Sequence, residues 1–289
     1  MTALLRALYR VRVPLFYAAV LTTTGTVLLR RLLPEGPADP ALAWIIRAGL
    51  AVMAVWLLVV VLGGRVRTER GLRVVHSPVT GRWLAINSPA SKVPSHGVRG
   101  YGQAYAIDLV AEPEGALRPQ FGDGPGMRPN ADYPAFDEPV RAMVDGVVVA
   151  ATDRRRDHLS RSRAWALYYM LLEGMVRELG GPGNVVGNHV TIRADDGTYA
   201  LVAHLRQGSA TVRRGDTVRA GDVVGRCGNS GNSSEPHVHA QLMDRRSLWT
   251  AAGVPMAFAR ISIGDADSPV DALPGNEEHM TATEPVTSA

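Results

Sequence analysis

The chain has 289 residues, 46% of them hydrophobic, and a formal net charge of +4 carried almost wholly by arginine, Lys92 being the one lysine. That length suits one large domain with extras. The lack of interleaved lysine and aromatic runs argues against a nucleic-acid partner, and the basic balance points to an anionic surface such as a membrane or a cell wall. Cys227 is the single cysteine, which excludes an internal disulfide and a cysteine-rich zinc site.

Two apolar segments open the chain. Val13–Leu29 is short and diluted by threonines, so it is either a first span, joined to the next by RRLLPEGPADP, or a helix lying on the interface. Ala41–Gly64 contains AGLAVMAVWLLVVVL without a charge. At 1.5 Å per residue its roughly 24 residues cross a hydrocarbon core of about 30 Å. Arg47 sits near one end, where it can snorkel. Neither segment is followed by the small-residue cleavage site of a signal peptide. Residues 1–73 are therefore expected to be a membrane anchor of one or two transmembrane helices in contact with lipid. Arginines 6, 10 and 12 precede the first segment, 30 and 31 follow it, and 65, 67, 70 and 73 follow the second. Two spans with this pattern favour both termini inside, whereas one span with an inner N-terminus puts the large domain outside. The expectation taken here is a bacterial membrane protein with its main domain extracytoplasmic.

From residue 74 to about 263 the sequence breaks into short apolar runs separated by Gly, Pro, Asn and Asp, the pattern of strands and turns. ADDGTY (194–199) places Asp-Gly between two alternating runs, a hairpin signal. A mainly β, antiparallel domain of the open barrel or sandwich kind follows. Two stretches interrupt it. Residues 112–139, rich in Gly and Pro, read as a long loop without helix or strand, and residues 161–179 carry helical spacing that stops at GGPG, one inserted helix within about 160–180. Residues 264–289 are polar and acidic and read as a disordered tail.

The chemistry-bearing residues fall on this framework. His237 and His239 flank Val238 on a strand, so alternation sends both imidazoles to one face. Taken alone, the pair suits polar surface as well as a metal. The Gly, Asn and Ser run before it reads as a mobile rim. Asp108 ends the apolar run YAID, His204 ends ALVAHL, and His96 stands in the turn-like SHGVRGYG. His189, in GNHV, is a neighbouring-strand histidine that suits a group supporting the ligands from behind, a substrate contact or plain surface. A catalytic zinc takes three protein ligands and leaves a position open. Five candidates exceed that need, and surplus histidines suit proton transfer or oxyanion stabilisation. The sequence has no HExxH and no GxSxG, so histidines must carry acid–base work.

SHGVRGYGQAYAID, DGVVVAA, GNHVTIRADDGTYALVAHL and TVRRGDTVRAGDVVGRCGNSGNSSEPHVH together resemble, in order, the lysostaphin-type (LytM-like) zinc endopeptidases, which cut peptides of bacterial peptidoglycan. The resemblance spans roughly residues 76–245. It implies that Asp108 and His239 are zinc ligands and that His204 and His237 are the catalytic histidines, handling the proton of a water and the tetrahedral intermediate. The family's first ligand is usually a histidine four residues before the aspartate. Here that position is Ala104, and His96 is assigned as the third metal ligand in its place. The implied activity is a zinc metalloendopeptidase acting on a peptidoglycan peptide. The alternative is a non-catalytic relative that binds wall or regulates from the membrane. A lipoyl-type carrier is set aside, since Lys92 lies outside any suitable hairpin.

Overall fold

The computed structural model describes residues 3–34, 36–63, 70–264, 266 and 268–283, and the chain divides into two compact units, Met1–Arg67 and Thr68–Ala289.

In the first unit, α1 (Ala3–Arg10), α2 (Arg12–Leu32) and α3 (Asp39–Gly63) account for the apolar segments. The Phe16 ring lies 4.5 Å from that of Trp56, and Gly49 lets α3 approach the Thr23 hydroxyl of α2 so closely that a Cβ would collide with it. Both long helices keep leucines such as Leu21, Leu28, Leu57 and Leu58 exposed. They are long and apolar enough to cross a membrane, with mean hydropathy of 1.3 over Arg12–Leu32 and 2.6 over Asp39–Leu62. Gly64 and the arginines expected to flank it, Arg65 and Arg67, lie outside the described residues.

The second unit begins ahead of the expected boundary at residue 74. Arg70 already donates to the Thr198 hydroxyl at 2.7 Å, and Arg73 is the first residue of β1. Its strands run β1 (Arg73–Val75), β2 (Gly81–Ile86), β3 (Ile107–Ala111), β4 (Met127–Arg128), β5 (Pro139–Arg141), β6 (Gly146–Thr152) and β7 (Ser160–Arg161). Helices α4 (Ala164–Leu179) and α5 (Pro182–Val186) interrupt before β8 (His189–Arg193), β9 (Tyr199–Ala203), β10 (Thr217–Val218) and β11 (Val223–Arg226). The remainder is β12 (Val238–Met243), β13 (Gly253–Val254), β14 (Met256–Ile263), β15 (Val270–Ala272) and β16 (His279–Ala282). The main sheet is ordered β1-β14-β16-β2-β3-β12-β9-β8-β6-β10. Its β1–β14 pair is parallel and the others are antiparallel.

Strict alternation gives this sheet two different faces. Ile107 and Leu109 of β3, Val238, Ala240 and Leu242 of β12 and Val190 and Ile192 of β8 enter the core with Val140 and Val224 from the β5–β11 ribbon. The intervening residues Asp108, His239, Gln241 and His189 go to the opposite side and are also buried. Both faces being covered explains why β12 reads as wholly buried.

Three expectations need correction. The stretch 112–139 holds β4, paired with β7, and a 3-10 turn at Asn130–Asp132. Two residues are too few to show a period. The inserted helix is followed by a second, α5, which Pro182 opens at a position where a missing N–H costs nothing. The described part of the tail is not disordered: β15 pairs with β14, and β16 sits between β14 and β2. Met280 is fully buried opposite Trp83. A four-residue strand takes its stability from partners far away in sequence, which a local pattern cannot reveal.

Candidate active site

Register builds the centre. Asp108 on β3 lies directly opposite His239 on β12, and His239 opposite Ala203 on β9. His237, immediately before β12, projects to the same side as His239. His204 follows β9 with φ of 60°, a left-handed conformation that costs a non-glycine residue of order 1–3 kcal/mol and turns its ring out of the strand. His96 comes from the turn before β3. That turn folds back because Ser95 N–H donates to the Ala104 carbonyl at 3.1 Å and Gly97 and Gly102 adopt φ of 73° and 76°. Ala104, where the family usually has a histidine, is itself buried.

All five expected residues meet in one cleft of about 310 Å³, walled also by Met170 of α4, Val186 and Asn232. His96 Nε2 lies 2.9 Å from Asp108 Oδ2, and His239 Nδ1 lies 2.9 Å from Asp108 Oδ1. One donor atom from each of the three lies within 4.8 Å of the others. His237 Nε2 is 3.6 Å from Asp108 Oδ1, and the His204 and His237 rings are 4.7 Å apart.

The outer partners decide which ring nitrogens carry lone pairs. Gln241 Nε2 donates to the Tyr101 carbonyl at 2.9 Å, so its Oε1 accepts the His239 Nε2 proton, also at 2.9 Å. His239 Nδ1 then presents a lone pair toward Asp108. Ser95 Oγ donates to the Gln103 carbonyl and accepts from His96 Nδ1 at 3.0 Å, which leaves the His96 Nε2 lone pair also facing Asp108. Asn87 Nδ2 donates to Asp108 Oδ2 at 3.0 Å. Two imidazole lone pairs and a carboxylate therefore converge, an arrangement that calls for a cation or for extra protons. Two nitrogens and one oxygen are a donor set that suits zinc.

His204 and His237 are oriented differently. His204 Nδ1 donates to the Ser230 carbonyl at 2.8 Å, and His237 Nδ1 to the Glu235 carbonyl at 2.8 Å. Each keeps its Nε2 for the cleft. Burial, followed by the neighbouring His237 and His239, pushes His204 well below the usual imidazole range, so its ring is neutral at pH 7. Burial alone would raise the Asp108 carboxyl. The neighbouring His96, His237 and His239 outweigh that and hold it well below the usual carboxylate range.

The run ahead of His237 is not a mobile rim. Asn229, Ser230 and Ser233 are buried, and Ser230 Oγ donates to the Leu205 carbonyl while accepting from Asn188 N–H. Gly231 and Gly187 cross backbone to backbone. A Cβ on Gly231 would fall 2.5 Å from Gly187 N, and one on Gly187 2.5 Å from the Ser230 carbonyl oxygen. Both have positive φ, so only glycine serves there. His189 is buried rather than on the surface. It shares a cross-strand row with Ala203 and His239, but its Nδ1 lies 3.0 Å from both the Gly187 carbonyl and the Thr152 hydroxyl. Among the described residues it does not line the cleft. Sequence reading missed Gln241, Ser95 and Asn87. Gln241, two residues beyond His239 on one strand, was open to the same alternation argument.

Residues 169–250 match Peptidase family M23. The match is to this stretch of the chain, less than half of its length. The M23 match contains His204, His237 and His239, while His96 and Asp108 lie upstream of it. The glycyl-glycine endopeptidase ALE-1 of Staphylococcus capitis is 30% identical over 88 residues, 30% of this chain and 24% of that protein. The chain therefore spans about a quarter of the curated relative it matches. Among solved structures, lysostaphin from Staphylococcus simulans aligns with 53% of this chain and 45% of its own at 21% identity, with a TM-score of 0.31. The SpoIIQ–SpoIIIAH pore-forming complex aligns with 63% of this chain and 89% of its own at 18% identity, with a TM-score of 0.34.

Proposed function

We propose that this chain is a membrane-anchored zinc endopeptidase that hydrolyses peptide bonds in bacterial peptidoglycan. In this reading α3 spans the membrane from an inner N-terminus, and the β domain faces the wall. His96, Asp108 and His239 hold the metal. The observation that carries the reading is the convergence of the His96 and His239 lone pairs on Asp108, fixed from outside by Ser95 and Gln241. Zinc held there supplies Lewis acidity toward a scissile carbonyl and toward water.

The chain's own groups supply proton transfer. His204 enters as a neutral ring, and His204 and His237 both keep their Nε2 atoms toward the cleft, because backbone carbonyls engage their Nδ1 atoms. One accepts the proton of the attacking water, and the leaving amine is protonated in turn. A charged ring beside the carbonyl carbon stabilises negative charge developing on its oxygen. His96 takes the place of the histidine that Ala104 lacks. The glycyl-glycine endopeptidase it resembles makes peptide cross-links the first substrate class to try.

The test is digestion of purified peptidoglycan by the full-length chain in detergent, with product masses read before and after chelation. New amino termini that vanish on chelation support the reading. Intact muropeptides after incubation with the zinc-loaded chain refute it and favour a non-catalytic, wall-binding role.

A further inference from the structure

Helix α4 is inside out. Its charged residues face the protein: Glu173 pairs with Arg161 at 2.8 Å and with Arg177 at 3.5 Å, and Glu178 accepts from the Tyr101 hydroxyl at 2.9 Å. Its apolar residues face out. Trp165, Tyr168, Leu172, Met175, Val176 and Leu179, spaced along one stripe, are between 42% and 71% exposed. A helix on the surface of a soluble domain has the opposite polarity, and a contiguous exposed apolar patch marks a covered surface.

Beside this stripe lies a cavity of about 610 Å³, separate from the catalytic cleft. Tyr169, Leu172 and Val176 form its apolar wall and Arg155, Arg156 and Arg177 its cationic one. Among the described residues, Arg155 and Arg156 make no ion pair and are exposed. Arg177 Nη1 is buried with no hydrogen-bond partner. Glu173, the carboxylate lining the cavity, is already shared between Arg161 and Arg177. His158 adds no free group, since its two ring nitrogens meet the Leu159 and Gly231 carbonyls.

An uncharged apolar stripe with aromatic residues at one end and guanidinium groups along its border is the pattern of a helix lying in a membrane interface. Guanidinium groups pair with phosphate in bidentate fashion. A second copy of this chain fits less well, because a two-fold contact through this patch sets arginines against arginines. Chain length agrees with a lipid occupant. From Gly63, where α3 ends, to Arg70, already bound to the β unit, the backbone reaches at most about 25 Å. We propose that α4 docks on an anionic bilayer, its stripe among the acyl-chain ends and lipid phosphates at Arg155, Arg156 and Arg177. The proposal rests on α3 being a span. Met170 of the same helix walls the catalytic cleft, so docking holds that cleft close to the bilayer surface.

The test uses the full-length chain in lipid nanodiscs with one nitroxide label, at Leu172→Cys or at Leu58→Cys. Cys227 is fully buried and stays unlabelled. With phosphatidylglycerol present, both labels should collide with a lipid-soluble relaxer and be shielded from an aqueous one. Adding Arg155→Glu and Arg156→Glu, with an unchanged melting curve, should raise aqueous collisions at Leu172 several-fold and leave Leu58 in lipid. A water-exposed Leu172 label beside a lipid-immersed Leu58 label overturns the docking. Label–label broadening at Leu172, or equal shielding in pure phosphatidylcholine, overturns it in favour of a protein cover. A water-exposed Leu58 label overturns the span reading, and the docking with it.

Discussion

Gln241 offers the cleanest perturbation, because among the described residues it reaches the proposed metal ligands through His239. Its side chain is 1% exposed and spans from His239 Nε2 to the Tyr101 carbonyl. Gln241→Leu fills a similar volume but removes the acceptor that fixes the His239 tautomer. Loss of such an outer partner typically weakens metal binding 10- to 100-fold, or about 1.4–2.7 kcal/mol. Loss of the Gln241 bond to the Tyr101 carbonyl separately costs the apo fold roughly 1–3 kcal/mol. The two effects separate in measurement: chelator competition reports zinc affinity, and melting of the metal-stripped chain reports the fold. Gln241→Glu keeps an acceptor toward Nε2 while losing the donor to Tyr101, so it should hold zinc better than the leucine variant while melting early. If the leucine variant binds zinc as tightly as the parent, the assignment of Nδ1 as the ligating atom of His239 fails.

Four further outcomes are expected. His204→Ala and His237→Ala should each retain zinc in a competition assay while hydrolysis falls by about 10²–10⁴-fold, whereas His96→Ala should lose zinc first. Because burial holds the His204 pKa down, its ring stays neutral, and able to accept a proton, at pH values where an exposed imidazole is already charged. The acid limb of the pH–rate profile should accordingly lie below the ordinary imidazole value of about 6.5, and a limb at or above that value would count against His204 as base. Met280→Ala, at a fully buried position opposite Trp83, should cost about 2–5 kcal/mol in denaturant unfolding; a change under half a kcal/mol would show that β16 is not integral. Burial pushes the Cys227 thiol well above its usual pKa, so iodoacetamide should modify the chain only after unfolding, as read by intact mass.

The sequence made the centre legible because its logic is local. Alternation around Val238 put His237 and His239 on one side, and the apolar runs around Asp108 and His204 marked strand ends. The two long apolar helices were equally plain from composition. The return of His96 was legible only as a possibility of its glycines, since the Ser95–Ala104 hydrogen bond that closes the turn leaves no sequence pattern. The buried loop before His237 was misread because Gly, Asn and Ser usually mark mobile turns, whereas here Ser230 and Asn188 spend their polar groups on each other and on the Leu205 carbonyl. β15 and β16 escaped notice for a related reason: their acidic surroundings mask a few alternating residues whose partners lie on strands made much earlier.

That late arrival of β16 has a consequence for biosynthesis. On the ribosome, both strands that carry Asp108 and His239, β3 and β12, emerge before residues 279–282 do. Until those residues arrive, β2 and β14 each offer unpaired amides and carbonyls, the backbone signal that recruits neighbouring polypeptides. A nascent chain stalled just short of that point would hold all five cleft residues and still present an open gap in its main sheet.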